Sequence, residues 1–335
     1  MPSEAEPRRL ARRVAQAVAL LTALFAVAFL APGLGQERSD MHHADPGWLA
    51  VAVVLEGLSC FSYVMGFRPV FCSHMSWRSA VEISWAQLGI GSIVPASGAA
   101  GLVFGAWVLR RGGMDPGHIA RRSVAFFLLK SLTNFVAVAV IGGLLAVGVL
   151  GPHQPLWRTL LPALAATATV LGVLALGRLD EPPHAAAGSR RIRRWWRSAG
   201  RALVGGVRAA KSLVRDPGVV VGNLGYWAFD NAVLWATFHA VGASPPITVI
   251  LMGYLIGQLG GALPLPGGIG GIDGGLIGTL IVYGAPASAT VAAVLIYRVI
   301  LFWLPLIGSA PAFFSLRRGL NDPNRPDLCL TPAPA

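Results

Sequence analysis

Six ionisable side chains interrupt long apolar stretches of this sequence, and their chemistry is the most informative feature of the chain. They are Glu56, Glu82, Lys130, Asp230, Asp273 and Arg298. An ionisable group at the centre of a lipid bilayer costs roughly 2.5–3.5 kcal/mol on insertion scales, so such groups usually pair with one another or line the route of a polar substrate. Carboxylates and cations in one apolar setting therefore indicate ion pairing or recognition of a charged ligand.

Arg298 and Asp273 are the leading candidates for such a site. Arg298 lies about eleven residues into the last apolar stretch, which is roughly 16 Å along a helix. Asp273 comes directly after a glycine-rich break, where its carboxylate could cap a half-helix and interact with the helix dipole. Arg298 could bind a lipid phosphate, or it could pair with Asp273 or Asp230 in a gating network. A purely structural ion pair is the alternative, and both interpretations stay open.

Asp230, Lys130 and Glu56 are predicted to line the same pathway, with a structural role as the alternative for each. Glu82 stands close to one end of its apolar stretch. A solvated carboxylate, or one paired with Arg78, is therefore expected there.

The motifs of catalysis and metal binding are missing from the sequence. It contains no H-E-x-x-H, G-x-S-x-G or nucleotide-binding loop, so no enzyme activity, cofactor or metal is predicted. His42 and His43 are adjacent but have no third ligand at helical spacing. Cys60, Cys72 and Cys329 are far apart and form no C-x-x-C pattern, so we expect neither a disulfide framework nor a zinc site.

Composition places the chain in a membrane. Apolar residues make up 54% of the 335 residues and charged residues 13%, against about 25% charged in soluble domains. Several apolar runs reach the roughly 20 residues that cross a 30 Å hydrocarbon core. The net charge of +12 then indicates membrane topology and an affinity for anionic phospholipids. Nucleic acid is the alternative partner for a basic chain, but the sequence contains no nucleic-acid-binding motif.

The arginine clusters orient the chain. The positive-inside rule places the N-terminal tail, residues 1–13, in the cytoplasm. Alternating sides from there predicts six full crossings, at residues 14–31, 48–67, 121–150, 159–177, 219–241 and 287–314. The first could instead be a cleaved signal peptide. We expect a multi-pass protein of the cytoplasmic membrane, with the polar C-terminal tail, residues 317–335, also inside.

Two further apolar segments are broken by proline and glycine. Residues 80–109 have arginines at both ends, which favours a re-entrant hairpin that inserts from the cytoplasm, and residues 247–283 have none, which favours one from outside. The breaks are predicted to line a lipid pathway, with close helix packing as the alternative. The residues concerned are Pro95, Gly98, Pro266, Gly267, Gly268 and Gly270.

The two hairpins align with each other at one constant offset and without gaps. Residues 87–89 and 258–260 both read Gln-Leu-Gly, and Pro95 falls on Pro266. Glycine-rich apolar sequence also matches itself by chance, which is the alternative. The alignment predicts two inverted membrane repeats, residues 14–177 and 217–316, with a substrate site near the bilayer midplane.

The linker between the repeats, residues 178–216, is the most basic part of the chain. From Arg190 to Arg215 its apolar and basic residues separate onto two faces at helical spacing. This pattern predicts a helix that lies at the membrane surface, and a calmodulin-like target is formally similar. The predicted surface contacts are Arg190, Arg194, Trp196, Arg197 and Arg201.

The C-terminal motifs carry a family resemblance. PLPGGIGGID at residues 264–273, AVLIYR at 293–298 and FWLP at 302–305 resemble the lysylphosphatidylglycerol synthase transmembrane-region family, also described as flippase-like membrane proteins. The match extends over about residues 48–316. Arg298 matches the membrane arginine of the family, and Asp273 stands where the family usually has glutamate. The first hairpin departs from the pattern, as do Lys130 and Asn134, where relatives often have acidic residues. Asn134 is expected to bond a neighbouring helix.

The resemblance implies an all-α protein that translocates a lipid or assists a separate lipid-modifying or cell-envelope enzyme. Aminoacylating members carry a large soluble transferase domain after the membrane region. Only about twenty residues follow Arg317 in this sequence. We therefore expect no lipid aminoacylation by this chain alone. Two functions therefore stay open, a lipid flippase and a non-catalytic scaffold for a separate enzyme.

Overall fold

The computed structural model describes residue 16 and residues 41–93, 98–149, 155–182, 191–258, 271–320 and 328–329. For residues 98–99, 191–195 and 320 it covers the backbone alone. The described residues form ten helices and no strand. The chain is an all-α polytopic membrane protein, as the sequence predicts.

The ten helices follow one another with short connections. Four of them, α1, α4, α5 and α10, are long and apolar enough to cross a membrane. In chain order the helices are α1 Pro46–Phe71, α2 Trp77–Ile93, α3 Gly98–Arg111, α4 Pro116–Ala146, α5 Leu156–Leu176, α6 Arg191–Leu213, α7 Pro217–Ala240, α8 Ile247–Gly257, α9 Gly271–Val282 and α10 Ala287–Leu320.

These four long helices correspond to four of the six predicted crossings. The predicted crossing at residues 14–31 lies outside the described residues. The predicted crossing at 219–241 corresponds to α7. This helix has 24 residues, but it is less apolar than the four helices that are apolar enough to cross a membrane. Its polar side chains, including Asn223, Asp230 and Asn231, are buried against the other helices. A helix enclosed by protein can carry polar groups that a lipid-facing helix cannot.

Three long helices begin with the same local signal. Asp45, Asp115 and Asp216 directly precede α1, α4 and α7, and each is followed by proline and glycine. Each aspartate accepts a hydrogen bond from a backbone N–H two or three positions later, at 2.7–2.8 Å. Proline suits the first helical position because its missing N–H would have no partner there. Such a cap stabilises a helix by about 1 kcal/mol.

Helices α2 and α3, and likewise α8 and α9, form two short packed pairs. Their lengths are about 26, 21, 17 and 18 Å at 1.5 Å per residue, each shorter than a hydrocarbon core of roughly 30 Å. In the second pair Gly253 lies against Leu280 and Gly257 against Leu276, so the two helices run antiparallel. The turns of both pairs, residues 94–97 and 259–270, lie outside the described residues.

Six arginines lie together at one end of the bundle, which we call the basic face. The first helix pair begins and ends there: Arg68 Nε donates to the Met75 carbonyl at 2.7 Å, and the His118 ring lies 3.3 Å from the Phe71 carbonyl. The end of α10 reaches the same face, where the Ser315 hydroxyl donates to Glu82 at 2.6 Å. The arginines that define this face are Arg68, Arg78, Arg110, Arg111, Arg317 and Arg318.

The second helix pair lies at the opposite face. The backbone N–H of Asp45, before α1, donates to the carbonyl of Ala240 at the end of α7, at 2.8 Å. The Tyr283 hydroxyl, just after α9, donates to the carbonyl of Arg158 at the start of α5, at 2.6 Å. The two short pairs therefore begin and end at opposite faces of the bundle.

Equivalent positions in the two halves are separated by the same number of residues, and this holds beyond the two short helix pairs. Pro46 of α1 and Pro217 of α7 are as far apart in sequence as Gly113 and Gly284. These two glycines follow α3 and α9 and have φ angles of 88° and 100°, a left-handed conformation that glycine adopts without strain. The helices α1–α4 and α7–α10 thus begin at nearly equivalent sequence positions and start at opposite faces. The division into two inverted repeats stays a prediction.

A disulfide joins Cys72 to Cys329, contrary to the expectation from their spacing. The two cysteines are 257 positions apart, and their Cα atoms are separated by 6.1 Å. Cys72 directly follows α1, while the buried Leu328 packs at Gly112 and donates its N–H to that residue's carbonyl at 3.2 Å. The bond depends on residues 328–329 packing at the basic face, which no local sequence pattern reveals.

The basic linker forms α6, whose apolar face packs on the protein over its second half. Val204, Val207, Ala210 and Leu213 are buried, mainly against α4. This part of the apolar face is covered by protein and does not face lipid. In the first half Trp196 is 65% exposed. Membrane-surface docking stays a prediction for that half alone.

Two basic residues of α6 contact the end of α5. Arg208 donates to the carbonyls of Gly177 and Leu179, the latter at 2.6 Å, and Lys211 donates to the carbonyl of Leu174 at 2.9 Å. Cations at a helix C-terminus satisfy its last carbonyls and interact favourably with its dipole. Of the predicted surface contacts, Arg197 and Arg201 are partly exposed, the backbone of Arg194 is helical, and Arg190 lies outside the described residues.

Candidate functional site

Asp230 is the centre of a buried polar network. It lies on α7 with 6% of its surface exposed. The hydroxyl of Tyr254 on α8 donates to one carboxylate oxygen, and the hydroxyl of Tyr297 on α10 donates to the other at 2.9 Å. Hydrogen bonds to a charged acceptor are stronger than neutral ones. Asp230 therefore ties together three helices of the second half.

Glu56 lies beside this aspartate on α1. It is 5% exposed and close enough to Asp230 for their charges to interact. The Cys60 thiol, one turn later, lies 3.5 Å from Glu56 Oε1. Glu56 Oε2 is buried and has no hydrogen-bond partner among the described residues. A thiol is a weak donor, so Glu56 is poorly satisfied for a buried carboxylate.

Lys130 lies between two aromatic rings near the middle of α4. Its ammonium is 4.6 Å from the ring centre of Tyr63 and 4.2 Å from that of Tyr226. Both distances are within the range of cation–π attraction. No carboxylate of the described residues forms a salt bridge with this ammonium, although Asp230 is close enough to act on its charge. The lysine is thus positioned by rings, and its N–H donors are not used by hydrogen bonds to those residues.

The first helix pair reaches this network through Gln87 on α2. The Tyr63 hydroxyl donates to Gln87 Oε1 at 2.9 Å. Gln87 is 2% exposed and packs against Gly101 and Gly105 of α3, where a Cβ on either glycine would collide with it. The two glycines leave room for the glutamine, so α3 fixes the amide that orients Tyr63.

Arg298 and Asp273 form a buried ion pair. The guanidinium Nε and one terminal nitrogen of Arg298 both lie 2.5 Å from Asp273 Oδ1, across the contact between α10 and α9. Arg298 is 8% and Asp273 2% exposed. Of the partners proposed from sequence, Arg298 therefore binds Asp273, while Asp230 is held by the neighbouring Tyr297. Recognition of a lipid phosphate by Arg298 stays a prediction.

A narrow crevice runs between α1, α4 and α7 beside Lys130. It is too tight to hold a water molecule. Gly66 and Gly222 let α1 and α7 approach closely at its edge, since a Cβ on Gly222 would lie 2.6 Å from the Gly66 Cα. The arrangement is closed. Its lining consists of Ser62, Tyr63, Gly66, Phe126, Lys130, Gly222, Asn223 and Tyr226.

The structure brings together the five charged residues that sequence singled out as a pathway. Two carry positive charge, Lys130 and Arg298, and three are carboxylates: Glu56, Asp230 and Asp273. Such a set can bind and release ions or charged head groups. In the described part of the chain no group of three His, Cys, Asp or Glu residues could hold a metal ion.

Other sequence expectations have mixed outcomes. Glu82 pairs with Arg78 at 3.0 Å, as expected. Asn134 Oδ1 is buried without a partner among the described residues, so that atom does not form the expected interhelical bond. Gly98 begins α3. The other predicted pathway residues lie outside the described residues, and they are Pro95, Pro266, Gly267, Gly268 and Gly270.

Sequence reasoning missed the tyrosines. The chain contains five, and four of them, Tyr63, Tyr226, Tyr254 and Tyr297, surround the buried charges. The usable signal was their position inside apolar helices, because a buried phenol nearly always finds a hydrogen-bond partner. Ring contact with Lys130 depends on how α1, α4 and α7 pack, which periodicity alone does not define.

Comparisons with known proteins identify the relatives of this chain. Residues 14–309 match the family model described as the lysylphosphatidylglycerol synthase TM region. One UPF0104 membrane protein of Methanothermobacter thermautotrophicus is 25% identical over 328 residues, covering 89% of this chain and 91% of the relative. A second UPF0104 membrane protein of that organism is 24% identical over 302 residues, covering 81% and 86%.

Proposed function

Because the chain belongs to the lysylphosphatidylglycerol synthase transmembrane-region family, we propose that it is a flippase that moves a polar lipid head group across the membrane. The observation that carries the proposal is the buried network of two cations and three carboxylates between helix pairs that begin and end at opposite faces. Inverted repeats with broken helices are a recurrent architecture of alternating-access transporters.

Lys130 is the element of the network best suited to an anionic head group. Its ammonium lies between the rings of Tyr63 and Tyr226, and no oxygen of the described residues accepts a hydrogen bond from it. A phosphate oxygen is a strong acceptor for an ammonium. The crevice beside Lys130 would have to widen, through separation of α4 from α1 and α7, before a head group could reach it.

The proposed location is the cytoplasmic membrane, with the basic face and both termini in the cytoplasm. The positive-inside rule supports this orientation through the arginines of that face. The same arginines would concentrate anionic phospholipids, which are the proposed lipid partners. The Cys72–Cys329 bond argues in the other direction, since disulfides persist mainly in oxidising compartments. The proposed orientation follows the arginines of the basic face.

A non-catalytic scaffold or partner subunit for a separate lipid-modifying enzyme is the second candidate. The closed crevice favours it, because a protein that only holds a partner needs no internal route. In neither case do we propose enzyme activity for this chain. Neutralising the buried charges without unfolding separates the two candidates, since a scaffold would keep its function.

The decisive experiment measures movement of fluorescent anionic and aminoacylated lipids between leaflets of proteoliposomes. Lys130→Gln is compared with Lys211→Gln, which changes the other lysine of the chain at the basic face. We expect wild type and Lys211→Gln to move lipid, and Lys130→Gln to lose most of that movement. Absence of movement by folded wild-type protein with every head group tested would reject the flippase and favour the scaffold.

A further inference from the structure

The buried network is not electrically balanced when all its groups are charged. Among the described residues its carboxylates outnumber its cations by one, since Glu56, Asp230 and Asp273 face Lys130 and Arg298. The three carboxylates and Arg298 are each less than a tenth exposed. An uncompensated charge in such a site is strongly unfavourable. One further positive charge is therefore required.

The surroundings of the three carboxylates differ, and they identify the group that lacks a partner. Asp273 binds the guanidinium of Arg298. Asp230 accepts hydrogen bonds from two phenols. Glu56 receives only a thiol, and its Oε2 has nothing in hydrogen-bond range among the described residues. The missing positive charge is thus required at Glu56.

Every helix packed around Glu56 contributes to this balance. Lys130 lies on α4 and Tyr254 on α8, and α2 contributes the neutral side chain of Gln87. The charged residue of α2, Glu82, is bound to Arg78 at the basic face. The remaining groups lie on α1, α7 and α10, and they are Cys60, Tyr63, Tyr226, Asp230, Tyr297 and Arg298. In the part of the chain that the structure describes, these groups leave Glu56 with no positive partner of its own.

We propose that Glu56 binds a proton and that this proton is the ion coupled to lipid movement. The coupling rests on the proposed flippase function, whereas proton binding does not. The proton comes from water at one face, forms an O–H bond on Glu56, and returns to water at the other face. No other bond changes.

The charge count also predicts the direction of the coupling. A head-group phosphate that reached Lys130 would bring a further negative charge beside Glu56 and Asp230. Repulsion is smaller when Glu56 carries its proton, so phosphate and proton bind together, and each raises the affinity for the other by the same factor. Lipid and proton then move in the same direction.

Proton binding is tested by infrared difference spectroscopy of the purified protein as the pH is raised. Wild type should show the C=O band of a buried carboxylic acid, and Glu56→Gln should lack it. Glu82→Gln is the matched control, because it removes a glutamate that has its own arginine, and it should retain the band. Circular dichroism checks that both variants are folded. A band that persists unchanged in folded Glu56→Gln overturns the proton site.

Coupling is tested in proteoliposomes with a gradient of one pH unit. Such a gradient is a tenfold difference in proton activity, so one-for-one coupling should enrich the lipid about tenfold in the leaflet toward which protons flow. Glu56→Gln should not respond to the gradient, and Glu82→Gln should respond like wild type. Lipid movement by wild type that ignores the gradient overturns the coupling and leaves the flippase standing. If wild type moves no lipid, flippase and coupling both fail, and the infrared result still decides the proton site.

Discussion

The two short helix pairs have the same place in the two repeats but carry different chemistry. In the second pair α9 presents Asp273, which binds Arg298 on α10. At the same repeat offset the first pair has Leu102, and α4 has Phe127. The first pair contributes a neutral amide instead, Gln87, which bonds Tyr63. The second helix pair thus makes an ionic contact inside the bundle, and the first pair makes a neutral one.

This difference indicates that the two contacts differ in the free energy needed to break them. A buried ion pair is costly to break, because each charge would be left without its partner. A bond between a phenol and an amide is weaker and easier to exchange. We infer that the contact of the first pair with Tyr63 is exchanged more readily than the ion pair of the second. The Lys130 crevice is lined by Tyr63 and so lies beside this weaker contact.

The largest expected effect comes from breaking the ionic contact of the second pair. Arg298→Ala should lower the free energy of unfolding by about 3–5 kcal/mol, because Asp273 would remain charged and buried. The matched control is Phe127→Ala at the equivalent, half-exposed position of the first repeat, which should cost much less. Unfolding in mixed detergent measures both. Equal losses would show that the ion pair does not distinguish the two halves.

A double substitution sharpens this result. Arg298→Met combined with Asp273→Leu removes both charges and keeps most of the volume, so most of the lost stability should return. A double variant as unstable as Arg298→Ala would mean that packing, and not charge, dominates this contact.

A smaller effect is expected from the glycines inside each pair. A Cβ on Gly257 would lie 2.8 Å from the Cα of Leu276, so Gly257→Ala should cost about 1–3 kcal/mol because backbone would have to move. Gly105→Ala in the first pair should cost less, since it meets only the flexible side chain of Gln87.

The control for these substitutions is Gly274→Ala. A Cβ at this position of α9 would meet nothing within 4 Å. Alanine is a better helix former than glycine, so stability should rise by up to about 1 kcal/mol. The same denaturant series measures all three variants, and a greater loss for Gly105 than for Gly257 would contradict the proposed difference between the pairs.

The last comparison is between two single phenol hydroxyls, whose expected effects are comparable to those of the glycines. Tyr297→Phe removes a bond to a carboxylate and should cost about 1.5–3 kcal/mol, whereas Tyr63→Phe removes a bond to a neutral amide and should cost about 0.5–1.5 kcal/mol. Thermal unfolding followed by tryptophan fluorescence compares the two. The reverse order would mean that the first pair is the more firmly held.

Sequence alone predicted the charges of this site better than their neighbours. Lys130, Asp230 and Arg298 were identifiable because a charge in an apolar helix is rare and costly. The four tyrosines were missed, since whether a phenol meets a carboxylate or a lysine depends on helix rotation and packing. The apolar face of α6 has the pattern of a membrane-surface helix, but its second half is buried against α4, and periodicity does not reveal which apolar surface a helix will contact.

The Cys72–Cys329 bond closes residues 72–329 into one covalent loop. The two membrane repeats are joined once by the basic linker and a second time by the bond between the end of α1 and the C-terminal tail. A protease that cut residues 183–190 would therefore leave two fragments still linked, which would migrate together on a non-reducing gel and separate after reduction. Any relative movement of the two repeats is therefore limited by two covalent connections, both of them at the basic face.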